Sequence, residues 1–187
     1  MSKKAIRINL TKAEENYDLS ASKFFGVPTI PGEWLSDFDE YTIFFCQIRL
    51  ADIAEYDTEN RLPHTGYLYI FLDTYGSEFN LVPIVRYYNG EPDTAVDDFN
   101  SAVVEYEEFT EAYLINFEPC DEYADGTRLF GLPQSLAEEE AEGELLMQFD
   151  PLDSEMGFLS HLDGYLYLFF GEDERDFSSI TAISDFS

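Results

Sequence analysis

An internal repeat organises this chain. Nearly the same six residues occur twice, as GYLYIF at 66–71 and GYLYLF at 164–169. Each hexapeptide follows a Phe-Gly-x-Pro motif and an apolar segment that contains one glutamine. Because these landmarks recur in one order, we interpret the chain as duplicated, with too few copies for a solenoid. The matched landmarks are Gly26, Gln47 and Gly66, then Gly131, Gln148 and Gly164.

Short aromatic or β-branched segments predict strands in and between the two copies. TIFFCQI (42–48) and GYLYIFLD (66–73) are bounded by turn residues, as buried strands are. LVPIVRYY (81–88) and EAYLINFE (111–118) predict two more strands between the copies. Phe, Tyr and Trp make up 17% of the chain, which also favours a sheet-rich core.

Helical signals are few. PQSLAEEEAEGE contains Ser135 and Glu138 at capping-box spacing, and LADIAEY (50–56) fits a turn or two of helix. Together the patterns predict a single α+β domain, mostly antiparallel sheet, built from two similar halves with few short helices. Its expected parts are unit one (22–73), an insert (74–126), unit two (127–171) and a C-terminal segment (172–187).

Charge is distributed unevenly along the chain. There are 39 acidic and 10 basic residues, the formal net charge is −29, and no lysine follows Lys23. From Tyr87 to Thr127 acids occur without a single base. Nucleic acids are held by Lys and Arg contacts to phosphate, and anionic membranes attract the same side chains. The charge therefore excludes both as partners and favours a basic protein or a cation.

Six acids in the base-free stretch are the candidate partner-binding residues. If they lie on an edge strand, alternate side chains share a face, so Glu105 and Glu107 are expected to point the same way. A solubility coat or adaptation to salt is the alternative explanation of the charge. The candidates are Asp97, Asp98, Glu105, Glu107, Glu108 and Glu111.

No residue pattern indicates catalysis, a metal or a cofactor. His64 and His161 precede the repeated glycines, but neither has a cysteine or a second histidine at zinc-ligand spacing. DPLDSE (150–155) lacks the glycine-punctuated register of a calcium loop. A Gly-x-Ser-x-Gly elbow and a phosphate-binding loop are also missing. We therefore predict a protein that is not an enzyme and carries no cofactor and no metal.

Four polar or sulfur-bearing residues are expected to have structural roles. Cys46 and Cys120 are too few for a disulfide framework and are predicted to be buried free thiols. Gln47 and Gln148 stand at matched places inside apolar strands. Buried amides must be hydrogen-bonded, so each glutamine is expected to tie loop backbone to the core rather than to bind a ligand.

The ordered motifs resemble the YwqG-like family, a bacterial domain of unknown function. They are SKFFGVPTIP, FFCQIRLADI, LPHTGYLYIFLD, VRYYNG, LLMQFDPLD and GYLYLFFGEDERDFSSI, and they span Ser22 to Ile180. The resemblance implies an α+β fold with an internal duplication and no established catalytic activity. It also implies an immunity role for the chain, since some members look by their genomic company like immunity proteins of toxin systems. The chain departs from the family pattern in a short loop after FGVPTIPGEW and in lacking a Trp near 156–159.

Two functions from different classes are expected. The first is a non-enzymatic acidic binding protein, an immunity-type protein that masks a basic toxin domain, because complementary charge speeds association. The alternative is an enzyme or small-ligand binder that uses a cleft between the two halves. The first fifteen residues lack the apolar stretch of a signal peptide, and no apolar run is long enough for a membrane helix. A cytoplasmic location is therefore expected.

Overall fold

The computed structural model describes residues 4–73, 82–100, 107–134, 143–152 and 165–184. The described residues form twelve β-strands. In chain order these are β1 (Ala5–Lys12), β2 (Lys23–Phe24), β3 (Thr29–Ile30), β4 (Thr42–Arg49), β5 (Tyr67–Asp73), β6 (Val82–Tyr88), β7 (Thr94–Ala95), β8 (Tyr113–Cys120), β9 (Arg128–Leu129), β10 (Leu145–Phe149), β11 (Leu166–Phe169) and β12 (Thr181–Ser184).

Ten of these strands make one antiparallel sheet, in the order β12-β11-β10-β9-β1-β8-β2-β4-β5-β6. The sheet curls until its end strands, β6 and β12, lie near each other, which makes it nearly closed and barrel-like. The two remaining strands, β3 and β7, form a separate ribbon on the outside.

The expected fold class, α+β built from two similar halves, is wrong. The structure is 41% strand and only 10% helical, and helices form no layer of their own in the residues that the structure describes. The segment 50–56 begins with a 3-10 turn, Leu50–Asp52, and the longer Gly32–Asp37 is also a 3-10 helix. The expectation failed because β1 and β8 pair along their full length and join the two copies into one continuous sheet.

The repeated sequence motifs lie at matching positions on the two flanks of that sheet. Outward from the central β1–β8 pair, one flank runs β2, β4, β5, β6 and the other runs β9, β10, β11, β12. The strands predicted at 42–48, 66–73, 81–88 and 111–118 are confirmed as β4, β5, β6 and β8. Gly164, Ser135 and Glu138 lie outside the described residues, and the unit boundaries stay predictions.

One apolar core lies inside the curled sheet. Successive residues of a strand point to opposite faces, and Leu68, Ile70 and Leu72 of β5 point inward to this core. Rings from both flanks meet there: Phe149 lies 5.4 Å from Phe24 and 4.9 Å from Phe45, measured between ring centroids. The two copies therefore share a single hydrophobic core.

Candidate functional site

A two-segment layer lies outside the sheet and is here called the acidic cover, residues 29–41 and 91–100. Strand β3 of the first segment pairs with β7 of the second. The backbone N–H of Gly32 donates to the Asp93 carboxylate at 2.8 Å, and this hydrogen bond, with another from Thr94, lowers the pKa of Asp93. Asn100 fixes the layer to the sheet, because its side chain accepts from the N–H of Phe44 and donates to the carbonyl of the same residue.

The acidic cover packs on an aromatic row along the outer face of β5. Tyr67, Tyr69 and Phe71 stack with centroid separations of 6.0 and 6.2 Å. Trp34 meets Tyr69 edge-on at 5.4 Å, and Phe38 lies 4.3 Å from Phe71. Aromatic pairs of this kind stabilise the packing beyond the contribution of the apolar area that each ring buries. The cover is thus a built layer with its own apolar underside.

The outer side of the acidic cover carries carboxylates and no base. Neither of its two segments contains a lysine or an arginine. Every one of its acids is exposed, although Asp37 pairs with an arginine and some others hold backbone groups. These acids are Glu33, Asp37, Asp39, Glu40, Glu91, Asp93, Asp97 and Asp98.

The neighbouring base, Arg86 of β6, is held under the layer. Its Nη1 lies 2.7 Å from Oδ2 of Asp37. Its guanidinium also lies over the rings of Trp34 and Phe38, at 5.2 and 4.9 Å from their centroids. Arginine suits this position because its flat cation stacks on aromatic faces while it pairs with a carboxylate.

Two large apolar side chains emerge among these acids. Leu35 is 50% exposed and Tyr41 is 40% exposed, which leaves much of each in water. Protein interfaces combine apolar anchors with a charged rim. The outer surface of the acidic cover has both components.

The candidate acids proposed from the base-free stretch are not brought together as one set. Asp97 and Asp98 lie in the acidic cover. Glu111 is exposed but pairs with Lys12 at 2.7 Å. Glu107 and Glu108 begin a 3-10 helix at 107–110, and nothing is described of their side chains. Glu105 lies outside the described residues, so the suggested shared face of Glu105 and Glu107 stays a prediction.

Sequence reasoning missed the first segment of the cover. Glu33, Asp37, Asp39 and Glu40 are far in sequence from Asp97 and were not among the candidates. The signal was present, because residues 24–48 contain acids and no base. Only the β3–β7 pairing shows that the two acidic segments form one surface.

Most basic side chains in the described residues make hydrogen bonds or ion pairs within the chain, and two of them do so in the interior. Lys23 and Arg128 are fully buried. Arg128 donates from Nε to the carbonyl of Ala124 at 2.8 Å and from Nη2 to Oε1 of Gln148 at 3.1 Å. It also donates to the carbonyls of Phe130 and Leu132, and burial lowers its pKa.

Further bases are paired with acids nearer the surface. Arg49 bonds to Asp52 at 3.0 Å, and Arg61 lies 2.8 Å from Glu144 while its guanidinium covers the ring of Phe130. Much of the positive charge of the described residues is thus paired within the chain, and their exposed side chains include far more acids than bases.

Histidine and cysteine side chains do not assemble a reactive centre in the described part of the chain. His64 Nε2 lies 3.2 Å from Oδ2 of buried Asp57. The same carboxylate accepts from the backbone N–H of Leu62, so it organises its own loop. Cys46 is buried and Cys120 half-buried, both are free thiols, and burial raises the pKa of each. His161 lies outside the described residues.

Neither a metal cluster nor a membrane helix is found among the described residues. No group of three or more His, Cys, Asp or Glu side chains there is placed to hold a metal ion. No helix in the same residues is long and apolar enough to cross a membrane. Where a cleft between two halves was suggested, rings of Phe24, Phe45 and Phe149 pack in direct contact.

No protein-family model matches the chain, and no curated protein matches it. The resemblance to the YwqG-like family therefore stays a prediction.

Proposed function

We propose that this protein is a non-enzymatic acidic binding protein that acts in the cytoplasm and masks a basic protein. A toxin domain is the partner we propose, with the chain in the role of an immunity protein. Nucleic acid and anionic membranes are not proposed as partners, because the surface would repel their phosphates.

One observation carries the proposal: the acidic cover presents exposed carboxylates without a base of its own. The formal net charge of −29 is a property of the whole chain, but the cover concentrates acids on one built layer. Like charges gathered on one face raise the energy of the free protein, and a basic partner relieves that repulsion. Complementary potentials also speed the encounter of two proteins.

The apolar side chains on the acidic cover support a protein partner over a small cation. Leu35 and Tyr41 are half-exposed amid the acids. A simple cation offers nothing to cover them, whereas a protein surface buries apolar groups at the centre of an interface.

The test reverses charge on the acidic cover and compares it with an equal reversal elsewhere. The cover variant replaces four exposed acids by lysine: Glu33, Glu40, Asp97 and Asp98. The matched control replaces four exposed acids outside the cover: Glu14, Glu15, Glu59 and Glu118. Both variants change the net charge equally, so only the position differs. Asp37, Asp39 and Asp93 are kept because they hold backbone or Arg86.

Each protein is used to capture partners from host lysate, and the captured protein is identified by mass spectrometry and then titrated in purified form. We expect a basic partner that the wild type and the control variant bind and the cover variant loses. Its affinity should fall as salt rises from about 0.15 to about 0.5 M, since the Debye length shortens from ~8 Å. Equal loss in both variants would indicate a general effect of charge. Binding that survives the cover reversal and high salt would rule out the proposal.

A further inference from the structure

One asparagine of the chain is followed directly by glycine. Of all its asparagines only Asn89 has this neighbour, in the motif VRYYNG at the end of β6. Asparagine is one of the thermolabile residue types. Its side-chain amide is open to attack by the main-chain nitrogen of the next residue, and a glycine there has no Cβ to obstruct the attack. The Asn89–Gly90 pair is therefore the place in the chain where this reaction meets the least steric resistance.

The structure leaves both reacting groups accessible. Asn89 is exposed and Gly90 is half-buried, directly after β6 ends at Tyr88. Among the described residues no backbone carbonyl accepts from the N–H of Gly90, so no such bond has to break before this nitrogen reacts. The nearest atoms beside Gly90 belong to the ring of Tyr88, a side chain that is able to shift.

A neighbouring hydroxyl is placed to activate the side-chain amide of Asn89. Oγ1 of Thr65 donates to Oδ1 of Asn89 at 3.2 Å. Attack on the amide carbon moves negative charge on to this oxygen, and a positioned donor stabilises such charge. Thr65 is itself fixed, because its carbonyl accepts from the hydroxyl of Tyr87 at 3.2 Å.

We propose that Asn89 is a site of spontaneous deamidation and that its conversion loosens the acidic cover. The Gly90 nitrogen loses its proton to solvent hydroxide and bonds to Cγ of Asn89. The Cγ–Nδ2 bond breaks, and the leaving nitrogen takes a proton from water and departs as ammonia. Water then opens the cyclic imide at either carbonyl. Opening at the side-chain carbonyl gives aspartate, and opening at the main-chain carbonyl gives isoaspartate, whose main chain runs through Cγ and is longer by one carbon.

Isoaspartate at position 89 lengthens the main chain just before the second segment of the acidic cover. There is little room for the extra carbon, since a Cβ on Gly66 would lie 2.9 Å from Cα of Asn89. The preceding residue, Tyr88, meets Trp34 of the first segment edge-on at 5.8 Å. A longer link therefore disturbs this contact and the short pairing of β7 with β3. The inference does not depend on the proposed function.

The test ages the purified full chain in warm, mildly alkaline buffer. Peptide mass spectrometry follows each asparagine, and enzymatic methylation measures isoaspartate. We expect Asn89 to convert at least about tenfold faster than Asn116, which is exposed but precedes phenylalanine. Thr65→Val, which removes the hydroxyl at an exposed position, should slow the conversion at least about threefold, and Gly90→Ala about tenfold.

Hydrogen exchange then measures the effect on the acidic cover. The isoaspartate form is isolated by chromatography and compared with unaged protein. Its amides at 91–96 should exchange about tenfold faster, while those of Tyr67–Asp73 in β5 stay unchanged, since only the cover opens locally. Asn89→Glu is the control, because it adds the same charge without lengthening the main chain.

The inference fails if Asn89 converts no faster than Asn116, or if Thr65→Val leaves the rate unchanged. It also fails if the isoaspartate form and Asn89→Glu exchange alike over 91–96, because a longer main chain would then have no effect of its own. The charge-reversal experiment above decides the proposed function independently of these outcomes.

Discussion

Gln47 and Gln148 make equivalent hydrogen bonds on opposite flanks of the sheet. The side-chain oxygen of each accepts a hydrogen bond from the backbone N–H of the residue that directly follows a Phe-Gly-x-Pro motif. The donors are Thr29, at 3.0 Å from Gln47 Oε1, and Gln134, at 3.2 Å from Gln148 Oε1. Both glutamines are fully buried, so their amides fix to the main sheet the segments that follow the repeated Phe-Gly-x-Pro motif.

A tyrosine of the next strand completes each arrangement. The Tyr69 hydroxyl donates to the carbonyl of Thr29 at 2.7 Å, and the Tyr167 hydroxyl donates to the carbonyl of Gln134 at 2.7 Å. On each flank, one Gln and one Tyr therefore bond the N–H and the C=O of the same residue, Thr29 on one side and Gln134 on the other. The tyrosine is the second Tyr of each GYLY motif, and the glutamine lies in the preceding strand. The repeated sequence motifs therefore encode a repeated hydrogen-bond pattern.

We expect Gln47→Leu and Gln148→Leu to be similarly destabilising, by about 2–4 kcal/mol each, because several buried groups lose their partners. Unfolding in urea, followed by far-UV circular dichroism, gives the free energies. The control is Asn116→Leu, which replaces an exposed amide on β8 and should change stability by less than about 0.5 kcal/mol. If either glutamine variant is as stable as the control, that glutamine does not hold the segment that follows its Phe-Gly-x-Pro motif.

The strands and the repeat could be predicted from the sequence because both depend on local patterns. Short aromatic or β-branched segments, two of them noted as bounded by turn residues, predicted β4, β5, β6 and β8. The structural role expected of Gln47 and Gln148 followed from a polar side chain inside an apolar strand. Neither inference required knowledge of which strands are neighbours.

The closure of the sheet and the acidic cover could not be predicted in this way. The sheet is continuous because β1 pairs with β8, across more than half of the chain. Likewise, Glu33 and Asp97 share a layer only because β3 pairs with β7. Long-range pairing depends on the whole set of strands, and no short pattern in either segment specifies its partner.

Gly66 is at a position where a side chain would be strongly destabilising. Its φ is +76°, and a Cβ there would lie 2.1 Å from the carbonyl oxygen of Tyr88. We expect Gly66→Val to lower the free energy of unfolding by at least about 1–3 kcal/mol, from backbone strain alone. Gly90→Ala is the comparison, because the nearest atoms to its Cβ belong to the Tyr88 ring, which is able to shift. Thermal melting of both variants provides the measurement. Gly164→Val is also expected to be destabilising, but Gly164 lies outside the described residues.

Phe149 tests whether the two flanks unfold together. Its ring contacts Phe24 and Phe45 of the opposite flank, so Phe149→Ala should open a cavity in the shared core and cost about 3–5 kcal/mol. Trp34, the single tryptophan, reports on the acidic cover, and far-UV circular dichroism reports on the whole sheet. In both wild type and variant the two signals should change at one denaturant concentration. A variant whose tryptophan transition stays in place while the dichroism shifts would show that the flanks unfold separately.

Lys23 is the buried base whose protonation should make stability depend on pH. Its side chain is fully buried, donates to the carbonyl of Leu19, and lies 5.3 Å from the ring centroid of Tyr17. Burial lowers its pKa from 10.5 to about 7, although the charge of Asp18 acts in the opposite direction. The neighbouring thiol of Cys46 has a pKa raised well above 9.0 by its own burial.

Between pH 7 and pH 10.5 the unfolded chain therefore holds a proton at Lys23 that the folded chain has largely released. Stability contributed by this residue accordingly rises with pH through that window. We expect the wild type to gain about 1 kcal/mol from pH 7 to pH 8 relative to Lys23→Met, which has no group to titrate at this position. Urea unfolding at each pH, with Lys12→Met as an exposed-lysine control, gives the comparison. Parallel pH profiles for the wild type and Lys23→Met would mean that Lys23 keeps its proton in the folded state, and that its contacts with Leu19 and Tyr17 hold a charged ammonium.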